Sequence, residues 1–360
     1  MIPIAKPCVG DEEAEAASVV IRSGMLASGK EVKLFEEEFA SYLGVPGCIA
    51  TSNGTTALHA ALLALNIGPG DEIIVPSFSF IATASSVSMT GAKPVFADVD
   101  KKTYCIDPDS VQTVITPETR AIIGVHLFGQ ACNIDAISDI CEDHSLEFIE
   151  DCAQAHGTEY NGKKVGGFGA CGCFSFYPTK NMTSGEGGMI ACQDDSLSER
   201  IRRLINHGQK EKYLHTELGY NFRLTDIAAA IGRVQLRKLP DMNSKRQNNA
   251  AYYNSSIKNS WIVLPFTDPA SNHVYHQYTI YIDHCDMERD SFAKKLGDNG
   301  IGTAVHYPVP IHKQPLYLND SECSCPVSED LSKKILSLPV YPDLSSQDRE
   351  FIVETINGVN

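Results

Sequence analysis

The feature that most constrains the fold is a regular alternation of short apolar segments with helical ones. Segments such as "GCIATS", "DEIIVPS" and "KPVFADVD" are typical of strands, and each is followed by a segment with helical periodicity. Strands joined through helices predict right-handed crossovers and a mainly parallel sheet. The strands are apolar throughout, which is expected when helices cover both faces of the sheet. The sequence therefore predicts an α/β fold.

The character of the sequence changes near residue 240. The polar helical segment "DMNSKRQNNAAYYNSSI" precedes the strand-like "HQYTIYID" and the closing helix "SQDREFIVETING". This mixture predicts a second unit with α+β structure. We therefore predict a large domain at residues 1–240, which begins with a helical segment, and a small C-terminal domain at residues 241–360.

The charge balance excludes two classes of partner. The formal net charge is −15, whereas nucleic acids and anionic membranes require a basic surface. We therefore expect neither nucleic acid nor membrane as a partner. The N-terminus has no secretory signal pattern, and no stretch reaches the roughly 20 apolar residues of a membrane span. The sequence favours a cytoplasmic protein.

Twelve cysteines are scattered through apolar segments. In a chain without a predicted signal they indicate reduced, buried thiols. The tight pairs are Cys171-x-Cys173 and Cys323-x-Cys325, and a metal site would need more ligands at suitable spacing. No metal site is predicted.

The first polar group at a predicted strand end is in "ATSNGTTALHAAL". Ligands of open parallel sheets bind beyond the carboxyl ends of the strands, and here a strand runs directly into a helix at Gly54 and Thr55. Free amides and the helix dipole make such a start an anion site, and Gly54 permits close backbone approach. The absence of Gly-Lys-Ser/Thr excludes a nucleotide P-loop. Taken alone, this segment is better explained as an ordinary capped helix whose threonines bond to its own amides.

The second group is in "EFIEDCAQAHG", where Asp151 ends a strand and Gln154 follows three residues later. A carboxylate there either caps the next turn or pairs with a buried cation. The third is "FSFYPTKNMTSGEGGMIACQ", where Ser175 lies in a strand and Lys180 follows its end. A lone lysine between buried strands is costly unless it is exposed, paired or covalently used, and desolvated lysines act as Schiff-base nucleophiles.

Together the three segments predict pyridoxal 5'-phosphate (PLP) as the cofactor. They supply a seat for its phosphate, a carboxylate for its pyridinium nitrogen and an amine for its aldehyde. Phe78 and Phe80 in "PSFSFIATA" offer an aromatic face, although core packing explains both rings as well.

The order of these motifs resembles the fold-type I PLP-dependent sugar aminotransferases, which act mostly on nucleotide-linked keto sugars. Matching segments run through nearly the whole chain and include "SNGTTALHAALLAL", "EDCAQAHG", "FSFYPTKNMTSGEGGMI" and "GYNFRLTDIAAAIGRVQL". The resemblance implies that Lys180 carries the cofactor covalently and acts as acid and base. It places Asp151 on the pyridine nitrogen. The other implied cofactor contacts are Gly54, Thr55 and Ser175 on the phosphate, Gln154 at the ring hydroxyl and Phe80 stacked on the ring.

The resemblance also implies a homodimer with shared active sites, because Asn221 would reach the phosphate from the partner subunit. The implied substrate contacts are Leu26 and Ser28 at the mouth of the site and His306, Tyr307 and His312 in "HYPVPIH". L-glutamate would be the amino donor and a keto nucleotide sugar the acceptor, in the biosynthesis of amino sugars and surface polysaccharides.

Three alternatives accompany this interpretation. A related branch dehydrates sugars and carries histidine at the lysine position, which Lys180 argues against. An aminotransferase for a cyclic polyol ketone or another non-nucleotide ketone stays open. So does a regulatory protein that keeps the fold without turnover.

Overall fold

The computed structural model describes residues 1–283, 287–318 and 323–359. Its α-helices are α1 (Asp11–Ser23), α2 (Lys30–Leu43), α3 (Gly54–Ala64), α4 (Ala82–Met89), α5 (Pro108–Thr113), α6 (Ile134–His144), α7 (Asp195–Leu204), α8 (Asp226–Ser256), α9 (Arg289–Asp298), α10 (Pro326–Lys334) and α11 (Ser346–Asn357). Two short 3₁₀ helices span Leu127–Gly129 and Ile311–Lys313. None of the helices in these ranges is long and apolar enough to cross a membrane.

The strands follow the predicted alternation. They are β1 (Gly47–Thr51), β2 (Glu72–Pro76), β3 (Lys93–Ala97), β4 (Thr119–Val125), β5 (Glu147–Asp151), β6 (Glu159–Tyr160), β7 (Lys163–Lys164), β8 (Cys171–Ser175), β9 (Gly188–Cys192), β10 (Gln209–Glu211), β11 (Leu214–His215), β12 (Ile262–Val263), β13 (Ser271–Asn272), β14 (Tyr278–Ile282) and β15 (Ile335–Leu338).

The central sheet has seven strands in the order β1-β9-β8-β5-β4-β2-β3. Strand β9 runs against both of its neighbours, and the other six strands share one direction. The prediction of a mainly parallel sheet is therefore confirmed. In the register, Asp151 lies beside Val125 on one side and Cys173 on the other, so the carboxyl ends of β4, β5 and β8 lie side by side.

Helices cover both faces of the sheet, as the apolar strands predict. Ile74 of β2 belongs to one buried cluster, which includes Phe35 and Phe39 of α2. Its neighbours Ile73 and Val75 belong to a second cluster on the other side, with α3 and α4. Successive side chains of a strand point to opposite faces, and burial on both faces accounts for the uninterrupted apolar runs.

The C-terminal part forms an antiparallel sheet β12-β14-β15 with helices packed around it. Its cluster contains Tyr253, Tyr278, Phe292 and Leu336, all fully buried. This is the predicted α+β arrangement. The division at residue 240 stays a prediction, and helix α8 continues through that position with Pro240 inside it.

Candidate active site

The first element of the candidate site is the start of α3 at the end of β1. Asn53 caps this helix: its side chain accepts a hydrogen bond from the Thr56 amide at 2.9 Å. The Gly54 and Thr55 amides have no hydrogen-bond acceptor in the described part of the chain. A Cβ atom on Gly54 would lie 2.7 Å from the Cβ of Ser175. Only glycine therefore lets the start of α3, which is the positive end of the helix dipole, approach Ser175 this closely. The three residues predicted to bind the phosphate, Gly54, Thr55 and Ser175, are thus neighbours.

The carboxylate of Asp151 is buried at the carboxyl end of β5. One oxygen accepts a hydrogen bond from the Ala153 amide at 3.1 Å, and the other accepts one from the Thr83 hydroxyl at 2.9 Å. Burial raises the pKa of Asp151, while the Ala153 amide, the Thr83 hydroxyl and the Lys180 amine act in the opposite direction. The carboxylate thus caps the next turn and also faces a buried cation, so both interpretations of the segment hold.

Lys180 follows β8 in a turn in which its amide donates to the Tyr177 carbonyl at 2.9 Å. Burial lowers the pKa of its amine to about 8, and the Asp151 carboxylate opposes this shift. An ordinary surface lysine keeps a pKa near 10.4. Lys180 therefore does not behave as an exposed surface lysine, because its amine loses its proton within reach of neutral pH.

Gln154 and Tyr307 bring the C-terminal part into contact with the strand ends. The Gln154 side chain accepts a hydrogen bond from the Phe128 amide and donates one to the Tyr307 hydroxyl, both at 2.9 Å. The Tyr307 ring lies 6.2 Å from that of Phe78 and 6.1 Å from that of Phe80. Phe78 is fully buried, whereas 55% of Phe80 is exposed. Core packing thus explains Phe78, and Phe80 is the ring that is open to a ligand.

The two histidines predicted to contact substrate lie in different surroundings. His306 bonds to the Ser337 hydroxyl at 3.1 Å, and its pKa is lowered by burial and then by Lys180, which places it near the amine. His312 is buried, with its ring 3.3 Å from the Glu329 carboxylate and beside the ring of Phe96. His306 therefore interacts electrostatically with Lys180.

Leu26, Ser28 and Asn221 are exposed and lie near the start of α8. The Asp226 amide donates to the Leu26 carbonyl, and its carboxylate accepts from the Gly29 amide at 2.7 Å, which fixes the loop. The residue after Asn221 accepts a hydrogen bond from the Ser52 amide at 2.7 Å. Asn221 therefore lies close to the α3 start of its own chain.

Sequence reasoning missed several groups behind the site. The Thr83 hydroxyl is within 3.0 Å of the Ser79 hydroxyl as well as bonded to Asp151, and its place in the first turn after a strand end was the available signal. Asn181 bonds to the buried His276 at 3.2 Å. His156 is buried against Phe174 and Phe176, and burial lowers its pKa to about 3, so the ring is neutral.

His126, Glu150 and Cys152 form a buried group of potential metal ligands within 4.8 Å of one another. Glu150 already accepts hydrogen bonds from the His126 ring and from three backbone amides of residues 166–169. The other nitrogen of His126 accepts one from the Cys132 amide. Because hydrogen bonds already occupy the lone pairs of Glu150 and His126, these side chains fit a structural network that supports the end of β5 and not a metal site.

The residues present fit PLP. The helix start with two free amides beside Ser175, the buried Asp151 and the partly desolvated Lys180 supply the donor for an anion, the carboxylate and the amine that this cofactor requires. Asp151 and Lys180 shift each other's pKa, so the two charges interact electrostatically.

A model of the DegT/DnrJ/EryC1/StrS aminotransferase family matches residues 7–357. A UDP-N-acetyl-3-dehydro-alpha-D-glucosamine 3-aminotransferase from Acidithiobacillus ferrooxidans is 40% identical over 94% of this chain and 90% of its own length. A "pleiotropic regulatory protein" from Geobacillus stearothermophilus is 42% identical over 94% of this chain and 91% of its own. Among solved structures, DesV of S. venezuelae in complex with a ketimine intermediate has a TM-score of 0.92 and 38% identity, over 96% of this chain and 93% of that one.

Proposed function

Because the chain belongs to the DegT/DnrJ/EryC1/StrS aminotransferase family, we propose that it moves an amino group from L-glutamate to a nucleotide-linked keto sugar. It is a PLP-dependent aminotransferase of the α/β fold of that family. The product would be an amino sugar, made in the cytoplasm for a surface polysaccharide or a related glycan.

The observation that carries the proposal is the pair of Lys180 and Asp151 at adjacent strand ends. When bound, PLP supplies an electron sink for the carbon that loses a proton. Asp151 keeps the ring nitrogen protonated, and the Thr83 hydroxyl and Ala153 amide orient the carboxylate for that task. Lys180 Nζ takes the proton from the carbon on one side of the transferred nitrogen and delivers it to the carbon on the other side.

The other residues hold and shield the reactants. The Gly54 and Thr55 amides and Ser175 bind the phosphate, and Phe80 covers one face of the ring. Tyr307 bonds to Gln154 and closes the site from the C-terminal part. We assign the acceptor to His306, Tyr307 and the loop of Leu26 and Ser28. His312 acts from behind this surface, since it is buried against Glu329.

The acceptor class rests on the relatives. The Acidithiobacillus relative is named for a UDP-linked 3-keto sugar, and it covers nearly the whole chain. The glutamate donor and a homodimer in which Asn221 crosses to the partner's phosphate seat are part of the same proposal, and the family resemblance of the sequence supports both.

A panel of keto nucleotide sugars with glutamate, read by product mass, tests the substrate class. We expect one or more members to gain an amino group. If no keto nucleotide sugar is aminated and a cyclic polyol ketone is, the acceptor class would instead be non-nucleotide ketones.

Two substitutions test the catalytic assignment. Lys180→Ala is expected to abolish turnover because it removes the amine that moves the proton. Asp151→Asn is expected to reduce kcat by about 10³-fold or more, since a neutral amide cannot hold the ring nitrogen protonated. Both are measured by glutamate-dependent 2-oxoglutarate release. A rate equal to that of the unaltered protein in either variant would contradict its role.

The regulatory relative supports a second candidate, a protein that senses its ligand without turnover. Both candidates bind PLP. They differ when glutamate is added, because only an aminotransferase converts the cofactor to its amine form. We therefore expect the absorption band of the lysine-bound cofactor to disappear when glutamate is added, with release of 2-oxoglutarate.

A further inference from the structure

Arg246 of α8 is a buried cation that no carboxylate neutralises. It is 6% exposed, and no acidic side chain lies within 4.0 Å of its guanidinium in the described ranges. Its Nη1 reaches the Tyr275 and His276 carbonyls only at 3.4 Å, and its Nε has no hydrogen-bond partner. Arg233 of the same helix shows the usual alternative, since its guanidinium bonds to Glu38 at 2.6 Å.

The surroundings of Arg246 add positive charge. Burial, and after it Lys180 and Arg246, lower the pKa of His156 and His276, so the two rings are neutral and supply no negative charge. Burial lowers the pKa of Arg246 itself to about 10, which leaves the guanidinium charged at neutral pH. A buried, unpaired guanidinium is costly and requires a negative partner.

A small cavity lies where such a partner would fit. It is lined by Arg246 and by Thr179, Lys180 and Asn181 of the lysine turn, and the N-terminal residues 5–8 close it. Its volume is about 10 Å³, enough for one water-sized particle. Gly54, Thr55 and Ser175 are not among its lining residues, so the cavity is distinct from the phosphate seat at α3.

We propose that this cavity is a small-anion site in which Arg246 binds a monatomic anion. A water molecule could accept the Nε hydrogen but would leave the charge uncompensated, whereas an anion does both. The occupant is a free halide ion, because the carboxylate of an amino acid needs more room than one water-sized particle. The inference rests on Arg246 and its cavity and holds whatever the acceptor sugar is.

Thermal unfolding of the PLP-loaded protein tests the site in solution. Sodium chloride replaces sodium gluconate at constant ionic strength, so that general screening is unchanged. We expect chloride to raise the Tm saturably by about 2 °C, because a ligand of the native state stabilises it. Arg246→Gln should lose this response, while Arg237→Gln, which removes an exposed arginine of the same helix, should keep it. An equal chloride response in Arg246→Gln and the unaltered protein would overturn the proposal.

Crystals of the unaltered protein grown with bromide test the same site without the variant, in case Arg246→Gln fails to fold. We expect an anomalous peak in the cavity, in contact with Arg246. A cavity that holds only water in these crystals would refute the anion site.

Discussion

At the scale of single residues, the hydroxyl of Thr83 is the group on which the orientation of Asp151 depends most directly. It donates to Asp151 and is itself bonded to Ser79, and all three side chains are buried. Thr83→Val keeps the shape but leaves a carboxylate oxygen without a donor, which costs about 1–3 kcal/mol. We expect kcat to fall by about tenfold, with the pKa of Asp151 raised further.

Thr83→Ser is the matched control for this prediction, because it retains the hydroxyl and loses one methyl group. The absorbance of the bound cofactor, titrated against pH, reports the Asp151 environment separately from stability. If Thr83→Val and Thr83→Ser give the same titration, the hydroxyl has no positioning role.

The lowered pKa of Lys180 predicts how the protein captures its cofactor. A lysine is nucleophilic only when neutral, and burial brings its pKa to about 8. Below that pH the rate of covalent capture by the apoprotein should rise by about tenfold per pH unit, and above it the rate should level off. Stopped-flow absorbance after mixing apoprotein with PLP measures this rate. A rate that still climbs at pH 10 would mean that the amine is solvated.

At the scale of elements, the sequence predicts the strands of the sheet but not the contacts that cross it. Apolar runs bounded by glycine and polar residues identify β1, β2, β3 and β5, because burial on both faces requires uninterrupted apolar side chains. The strand ends then predict Asp151 and Lys180. The bond from Gln154 to Tyr307 spans 153 positions in the chain. Within the described ranges, the lack of a carboxylate at Arg246 likewise depends on every element around it. Contacts between residues so far apart in the chain produce no local sequence pattern from which they could be predicted.

Replacing a glycine by alanine is expected to have opposite effects on stability at two helical positions, Gly232 and Gly297. A methyl group at Gly232 in α8 would lie 2.7 Å from the fully buried ring of Phe35, which itself packs against Phe176. Gly232→Ala should therefore lower the free energy of unfolding by about 1–3 kcal/mol. At the exposed Gly297 of α9 nothing lies within 4 Å, and Gly297→Ala should raise it by about 0.5–1 kcal/mol. Urea unfolding of both variants measures the difference. A stabilised Gly232→Ala would show that α2 and α8 can move apart.

At the scale of the whole molecule, the position of Asn221 decides whether one chain makes a complete site. Asn221 is exposed, and the next residue pairs with Ser52, just before the phosphate seat of its own chain. The family resemblance instead implies that it serves the partner. The free amides of Gly54 and Thr55 are open in either arrangement, so the distinction lies in which subunit completes the seat.

Mixed dimers of two inactive variants distinguish the arrangements. If Asn221 acts across the interface, a dimer of Lys180→Ala with Asn221→Ala contains one site with both residues intact. Equal coexpression should then restore about a quarter of full activity, since half of the dimers are mixed and each has one good site. If Asn221 serves its own chain, no mixed dimer has an intact site, and activity stays at the level of the single variants. Separately expressed variants provide the baseline, and differently tagged subunits allow the mixed dimer to be purified and assayed alone.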